Sequence, residues 1–358
     1  MERKPITYHI IGGGIAGLSC ARILKQKYPQ IRTIVYEAGD TLGGRCRSYQ
    51  DEEFGRTLDN ATHVIIGANK EMCKFVKANE WCHTHLFWDA AAETCNDKLL
   101  PALGHILKSC CNTKAEEIAP IIGKKILRRT FPWTKSQRKV YFSKQDLSQR
   151  IINVLAAYAD EVRLNSKLLK IETQFGRAAQ LNFSNSTVDI GADDKIIVAL
   201  DNRNCAKLLG TEELPHNSII NIFYHTSQKI FLPQGASFIG VLQGIGDWVF
   251  VNDDILAVTI SAADDKITDF AGLAREVWCE LDKLRGVNSA FVPPFKVLKY
   301  RHATIAQDAA TNEQRPTGAA TQYPNVFIAG DWTMKDLPCC METAVLSAQR
   351  AIKAARKN

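Results

Sequence analysis

The 358-residue chain has no run of about 18 apolar residues that could form a membrane-spanning helix. Its 45 bases and 38 acids leave a net charge of +7, which is weak support for nucleic-acid binding at this length. A hydrophobic content of 46% excludes a disordered or collagen-like chain. We therefore expect a folded, soluble enzyme with no nucleic-acid partner.

The eleven cysteines lack the paired C-x-x-C spacing of common zinc sites. Their number is odd and they are scattered, apart from the adjacent pairs Cys110-Cys111 and Cys339-Cys340. This usage is typical of reduced thiols in a cytoplasmic protein. One group of possible zinc ligands matches no recognised zinc-site spacing, so we interpret its cysteines as ordinary buried or surface thiols. The group is Cys73, Cys82, His83, His85 and Cys95. No metal site is predicted.

A strand, a glycine-rich turn and a helix open the chain. Ile6 to Ile11 is apolar like a buried strand, and Gly-Gly-Gly-Ile-Ala-Gly follows at 12–17. A helix from Leu18 to Lys27 and a second strand from Ile31 to Tyr36 come next. The dense glycines and the bases after them argue against a signal peptide. This order predicts a Rossmann-like unit that binds a dinucleotide.

The glycines and one acid have separate tasks in this prediction. Gly12 permits the tight turn, Gly14 lets a pyrophosphate approach the backbone, and Gly17 lets the helix pack on the strand. Ile15 and Ala16 lead into the helix, whose N-terminus offers free N–H groups to the phosphates. Glu37, at the end of the second strand, is placed to accept hydrogen bonds from a ribose.

The segment after Glu37 resembles the E-x(5)-G-G-R segment of FAD-dependent amine oxidases and carotenoid desaturases. Here it ends in Gly43-Gly44-Arg45, where two glycines allow close approach of the backbone and the arginine balances pyrophosphate charge. The resemblance implies that the dinucleotide is FAD. It also implies that the backbone at Leu168, in a later strand, contacts the adenine.

The C-terminal region resembles the same superfamily. A strand at 325–329 leads into Gly330-Asp331, and a helix beginning at Met341-Glu342-Thr343 follows. The resemblance implies that Asp331 contacts the flavin ribityl chain and that this helix start faces the N1/C2=O edge, where its dipole stabilises negative charge. Thr343 and Ala348 occupy positions where the family usually has glycine.

The whole chain is most similar to the squalene-associated FAD-dependent desaturases, a branch that includes hydroxysqualene dehydroxylase and is related to phytoene desaturase. Short matching segments occur in the family's order at 59–67, 248–250, 260–262, 301–304 and 330–338. The resemblance implies hydride transfer between flavin N5 and a small, apolar, isoprenoid-like substrate. A flavin amine oxidase, or a flavin-binding protein with degenerate activity, stays an alternative.

The predicted fold class is α/β: a Rossmann-like FAD-binding domain of the GR2 flavoprotein type with an interleaved α+β substrate domain. We assign 1–60, 145–214 and 301–358 to the first domain, and 61–144 and 215–300 to the second, which contains an antiparallel sheet. The chain is shorter than typical desaturases, and we expect the shortfall in the substrate domain.

No second strand–glycine–helix unit is present, so a separate nicotinamide domain is not expected. The glycines at 240–246 join two strands and predict a hairpin. The flavin must therefore exchange electrons with a small diffusing partner: the substrate, oxygen, a quinone or a nicotinamide that enters transiently.

The stretch 119–145 contains no acid and eight bases interleaved with aromatic residues. A solvated basic face is one interpretation of it. A peripheral membrane contact through 124–144 is another, because aromatic residues sit at headgroup level and bases approach anionic lipid.

Few residues beyond the flavin are candidates for the chemistry. His63 lies on a family motif and is a weak catalytic candidate, with a structural histidine as the alternative. We interpret Cys339 and Cys340 as spectator thiols, which take no part in the reaction, rather than as a redox dithiol, because adjacent cysteines form a disulfide only with strain. Lys296 and Lys299 are candidates for the water-binding lysine of amine oxidases.

Overall fold

The computed structural model describes residues 5–77, 80, 86–96, 102–130, 140–142, 146–263 and 267–357. Its helices are α1 (Ile15–Lys27), α2 (Leu103–Cys111), α3 (Pro120–Thr130), α4 (Asn153–Ala156), α5 (Asn202–Leu209), α6 (Phe270–Arg285), α7 (Ala309–Gln314) and α8 (Met341–Ala355). Its strands are β1 (Thr7–Ile11), β2 (Arg32–Tyr36), β3 (Ser48–Asp51), β4 (Arg56–Asp59), β5 (Val64–Ile66), β6 (Phe87–Asp89), β7 (Thr94–Asn96), β8 (Val140–Phe142), β9 (Glu161–Arg163), β10 (Leu168–Gln174), β11 (Arg177–Phe183), β12 (Thr187–Asp189), β13 (Lys195–Val198), β14 (His216–His225), β15 (Phe238–Leu242), β16 (Trp248–Asn252), β17 (Ile255–Ala263), β18 (Phe295–Ile305) and β19 (Val326–Ile328).

A five-stranded parallel sheet forms the first layer, in the order β19-β13-β1-β2-β9. All five residues of β1 are buried, as its uninterrupted apolar sequence predicts for a parallel strand covered on both faces. Helices α1 and α8 pack against each other, and Leu18, Leu24 and Ala348 are fully buried in the same core as Ile10. The predicted Rossmann-like α/β class is confirmed by this layer.

Glycine is required where α1 meets β1. A Cβ on Gly17 would lie 2.0 Å from the carbonyl oxygen of Gly12, which is fixed backbone. Gly12 itself has a φ of 110°, a region that other residues rarely adopt. The two glycines thus set the distance between the helix start and the sheet, as the sequence predicts.

A seven-stranded sheet, in the order β18-β14-β17-β16-β15-β6-β7, forms the second layer. All of its neighbouring strands are antiparallel except the parallel pair β15 and β6. Helix α6 covers one face, where the hydroxyl of Tyr224 donates to the carbonyl of Ala274 at 2.6 Å. The antiparallel pairing of β15 with β16 confirms the hairpin predicted at 240–246.

The spacing of Ile151, Leu155 and Tyr158 predicts an amphipathic helix from Asp146 to Tyr158. In the structure a π-helical segment, Ser148–Ile152, interrupts it before α4. Its start is held from outside: the N–H of Leu147 donates to the Asp59 carboxylate, and the N–H of Ser148 donates to a serine hydroxyl of β3. Such wider turns are common near functional sites. Sequence periodicity does not reveal these long-range contacts.

No helix among the described residues is long and apolar enough to span a bilayer. The basic stretch is described in part: Lys124, Arg128 and Arg129 lie on α3 and face solvent. Residues 131–139 and 143–145 of that stretch, and Cys82, His83 and His85 of the candidate zinc group, lie outside the described residues.

We expect Gly17→Ala to lower the free energy of unfolding by about 1–3 kcal/mol or more, because the added methyl group overlaps fixed backbone. Gly123→Ala in α3 is the matched control, since a Cβ there has nothing within 4 Å. That control should be neutral or gain roughly 0.5–1 kcal/mol. Urea unfolding followed by circular dichroism measures both, and equal effects would contradict the packing argument.

Candidate cofactor site

The N-terminus of α1 is open to a ligand. No side chain of the described residues caps it at Gly14, and its first turn holds no acid. The second glycine pair lies directly against it: the N–H of Gly43 donates to the carbonyl of Gly13 at 2.9 Å. A Cβ on Gly44 would lie 3.6 Å from the Cα of Gly14. The amides at Ile15-Ala16 therefore face a surface of bare backbone, which suits a pyrophosphate.

Glu37 ends β2 beside this turn. One of its carboxylate oxygens accepts the N–H of Gly13 at 2.8 Å and the other accepts the N–H of Gly39 at 2.9 Å. Each oxygen keeps a further lone pair for a ribose hydroxyl. The carbonyl of Glu37 accepts the N–H of Ser166 at 2.8 Å, which brings the segment leading to Leu168 next to the acid.

Arg45 and Asp331 form an ion pair at 2.6 Å, across 286 residues of sequence. The side chain of Asp331 is 6% exposed and that of Arg45 is 44% exposed. The second guanidinium nitrogen of Arg45 donates to the carbonyl of Ala303 at 2.8 Å. The charge of Asp331 raises the pKa of Arg45 above its usual value, so the guanidinium stays positive while part of it faces solvent.

The second helix start of the site belongs to α8. Gly330 precedes Asp331 with a φ of 141°, where a Cβ would meet the indole of Trp332 at 2.8 Å. Its N–H donates to the hydroxyl of Ser347 at 2.8 Å, which ties the strand end to α8. No side chain of the described residues caps α8 at Cys340. The amides at its start are therefore free for an acceptor.

Glu342 and Thr343 face the protein rather than solvent. The Glu342 carboxylate accepts the N–H groups of Glu71 and Met72, each at 3.0 Å, at the start of a short 3₁₀ helix, Met72–Phe75. The Thr343 side chain is buried, with its hydroxyl 3.3 Å from the sulfur of Cys340. At Met341-Glu342-Thr343 the backbone, rather than the side chains, is therefore available to a cofactor.

His63 lies beside the arginine segment. Its Nδ1 is 3.7 Å from the sulfur of Cys46, and its Nε2 is 3.3 Å from the side-chain oxygen of Asn60. Asn60 also donates to the carbonyl of Arg45 at 2.9 Å. Burial lowers the pKa of His63 to about 4 and raises that of Cys46 to about 12, so both groups are neutral at pH 7. Sequence reasoning gave no role to Asn60, although it lies in the matching segment 59–67, or to Cys46, which follows Arg45. Their contacts with His63 depend on the fold.

The cysteines near α8 are free thiols, as are all the cysteines of the described residues. Burial raises the pKa of Cys339 to about 12 and that of Cys110 to about 12, which keeps the thiols protonated. Gln307 joins the two cysteine pairs through the backbone, accepting from the N–H of Cys339 and donating to the carbonyl of Cys111. That Cys339 and Cys340 take no part in the reaction stays a prediction, and their protonated state favours it.

The two lysine candidates have protein partners. Lys296 forms an ion pair with the buried Asp51 and lies over the ring of Tyr49. Lys299 donates to the carbonyl of Ile267 at 3.3 Å. Neither contact places a lysine at the Arg45–Asp331 pair, and no motif distinguishes between the two.

The residues present fit a flavin dinucleotide. Two uncapped helix starts, a surface of bare glycine backbone and a half-exposed arginine are the groups that a pyrophosphate and an anionic ring edge require. Arg45 follows the Gly43-Gly44 pair and Asp331 follows Gly330. The ion pair between the two side chains therefore connects these glycine segments.

Two family models match the chain. A model described as an NAD(P)-binding Rossmann-like domain covers residues 10–78, and one described as a flavin containing amine oxidoreductase covers residues 134–355, more than half of the chain. The hydroxysqualene dehydroxylase of Rhodopseudomonas palustris is 26% identical, covering 96% of this chain and 97% of the relative. That of Sinorhizobium fredii is also 26% identical, covering 97% of each. These relatives confirm the resemblance drawn from the sequence.

Solved structures share the fold. An oxidoreductase from Methanosarcina mazei has a TM-score of 0.71 at 12% identity, covering 97% of this chain and 100% of its own. Cyclohexylamine oxidase from Brevibacterium oxydans has a TM-score of 0.69 at 12% identity, covering 99% of each chain. At these identities the likeness concerns architecture alone.

We expect the unfolding free energy to fall as the pH drops from 6.5 towards 4, because the unfolded chain protonates His63 while the folded chain keeps it neutral. His63→Gln should make this pH dependence shallower. NMR of the His63 ring, assigned by comparison with that variant, measures the titration directly. A His63 that titrates near 6.5 in the folded protein would contradict the lowered pKa.

Proposed function

The chain belongs to the flavin containing amine oxidoreductase family, and from that premise we propose that it binds FAD and transfers hydride between flavin N5 and a small, apolar, isoprenoid-like substrate. The observation that carries the substrate class is the similarity to hydroxysqualene dehydroxylases along nearly the full chain. That the chain is a flavin-dependent oxidoreductase follows from the family itself.

In this proposal the cofactor is held from both ends of the chain. The amides of α1 at Ile15-Ala16, with Arg45, bind the pyrophosphate, and Glu37 accepts the ribose hydroxyls. Asp331 and the start of α8 hold the flavin half, where helix amides stabilise negative charge on the ring edge. Leu168 supplies backbone to the adenine. The division into an FAD-binding domain and a substrate domain is part of the same proposal.

When bound, FAD supplies the hydride acceptor or donor. The protein supplies position and a dry surface. Asn60 fixes the backbone at Arg45 and the ring of His63, which is neutral at pH 7. A structural role for His63 stays the alternative, since both ring nitrogens have neighbours within the protein.

A cluster of apolar side chains follows the arginine segment along the chain. The chain that carries Arg45 continues into the β3–β4 hairpin, whose Phe54 and Leu58 are buried in this cluster. The cluster is completed by residues of β8 and of the seven-stranded sheet: Val140, Phe142, Phe223, Phe238, Phe250, Ile255 and Ala257. The ring centroids of Phe142 and Phe250 are 5.1 Å apart. These side chains are 3–9% exposed, so the cluster is a packed core, and the choice of an apolar substrate rests on the relatives.

We do not assume that this chain takes a substrate as long as that of the relatives. The alignment with the Rhodopseudomonas palustris enzyme runs over 413 residues, 55 more than the 358 of this chain, so at least that many positions have no counterpart here. Their location in the substrate domain stays a prediction. Isoprenoids of several lengths should therefore be tested.

We expect anaerobic spectroscopy of the purified protein to separate the candidate functions. An allylic isoprenoid alcohol such as hydroxysqualene should reoxidise the chemically reduced flavin, because replacing C–OH by C–H consumes one hydride and one proton and releases water. A polyene that undergoes desaturation should instead bleach the oxidised flavin. Primary or secondary amines that bleach it faster than any isoprenoid would favour the amine oxidase alternative. No response to either class would support a degenerate flavin-binding protein.

We expect Arg45→Ala to raise the Kd for FAD about 10-fold to 100-fold, because hydrogen bonds to charged groups contribute about 1.5–3 kcal/mol. Arg47→Ala is the matched control, since Arg47 is exposed two residues further along and should leave the Kd close to that of wild type. Titration of the apoprotein, followed by flavin fluorescence, measures both. Equal Kd values for the two variants would remove Arg45 from the site.

A further inference from the structure

Two histidines and a glutamate lie together outside the proposed cofactor contacts. We name Glu213, His216 and His302 the histidine cluster; one possible ligand atom from each lies within 4.8 Å of the others. The two imidazole ring centroids are 5.2 Å apart with an interplanar angle of 88°. His302 lies in the matching segment 301–304, but the sequence does not mark the group, because its members are up to 89 positions apart and match no ligand spacing.

Strand pairing brings the two histidines together. His216 begins β14 opposite Ile305 of β18, and the register shifts between the next pairs. From Asn217↔Thr304 to Ile219↔Tyr300, one residue intervenes on β14 and three on β18, so β18 bulges where it carries His302. A bulge of this kind re-aims a side chain at a sheet edge. Here it turns His302 beside His216.

The chemistry of the cluster is that of a zinc ligand set. Two imidazoles and a carboxylate bind Zn²⁺ tetrahedrally and leave a fourth position for water. A hydrogen bond from the His216 ring to the carbonyl of Leu214 orients the imidazole. Tetrahedral bonds of about 2.1 Å place ligand atoms roughly 3.4 Å apart, so side-chain adjustments are sufficient.

The surroundings allow a cation. Glu213 forms an ion pair with the Nε of Arg203 at 3.5 Å, and both of these side chains are 41% exposed. Such an exposed pair is weak and yields readily to a metal. A small cavity of about 10 Å³ is lined by both histidines together with Arg45 and Asp331. The cluster therefore borders the cofactor site without sharing its ion pair.

We propose that Glu213, His216 and His302 form a binding site for a divalent first-row transition metal, Zn²⁺ above all. The site is independent of the hydride-transfer proposal, since its ligands take no part in holding the flavin or the substrate there. Its test is accordingly a direct measurement of metal binding.

Chelator-treated, full-length protein should bind one Zn²⁺ per chain with micromolar or tighter affinity in competition with a fluorescent chelator. The metal should also raise the Tm, because it binds only the folded state. Loss of a hydrogen-bond partner of a metal ligand typically lowers the affinity for the metal roughly 10-fold to 100-fold. His216→Ala and His302→Ala each remove a ligand itself, so each should weaken Zn²⁺ binding by at least that factor. Glu213→Gln should also lower the affinity for Zn²⁺.

His225→Ala is the matched control, because His225 ends the same strand and lies 3.0 Å from Asp254. It should bind Zn²⁺ like wild type. Circular dichroism of each apoprotein establishes that the variants are folded. Wild-type protein that binds no Zn²⁺, or cluster variants that bind it as tightly as the His225 control, would overturn the proposal.

Discussion

The ion pair between Arg45 and Asp331 is the contact on which the rest of the site depends. Asp331 is almost fully buried, and a buried carboxylate is stable only with a charged partner or several hydrogen bonds. Arg45 supplies that charge from the other end of the chain. The pair thereby fixes the glycine segment after β2 against the strand end before α8. Two helix starts, each without a side-chain cap, become parts of one surface.

A second set of contacts connects this ion pair to the apolar region. Asn60 holds the carbonyl of Arg45 and the ring of His63, and it lies where β4 ends. The β3–β4 hairpin before it contributes Phe54 and Leu58 to the cluster of apolar side chains. The segment that carries Arg45 is therefore joined by continuous chain to a buried apolar cluster.

Local patterns predict part of this structure well. The glycine motif, its helix and its two strands occur within a few residues of their predicted bounds, because turn sterics and apolar runs act over short distances. The partners of Glu342 and Asn60 are not predictable in this way. Glu342 caps a 3₁₀ helix 270 residues earlier in the chain, and only the folded topology brings them together. The bulge that turns His302 towards His216 is likewise a property of pairing between distant strands.

Family membership and architecture leave the choice of substrate to the site itself. The same fold occurs in an amine oxidase, whereas the relatives that align along nearly the full chain are dehydroxylases. Both kinds of function need a flavin, which the proposal places at the two helix starts. The most direct measurement is therefore the absorption spectrum and FAD stoichiometry of the purified protein. The account predicts a yellow protein that holds one FAD per chain; a colourless protein that cannot be reconstituted with FAD would contradict it.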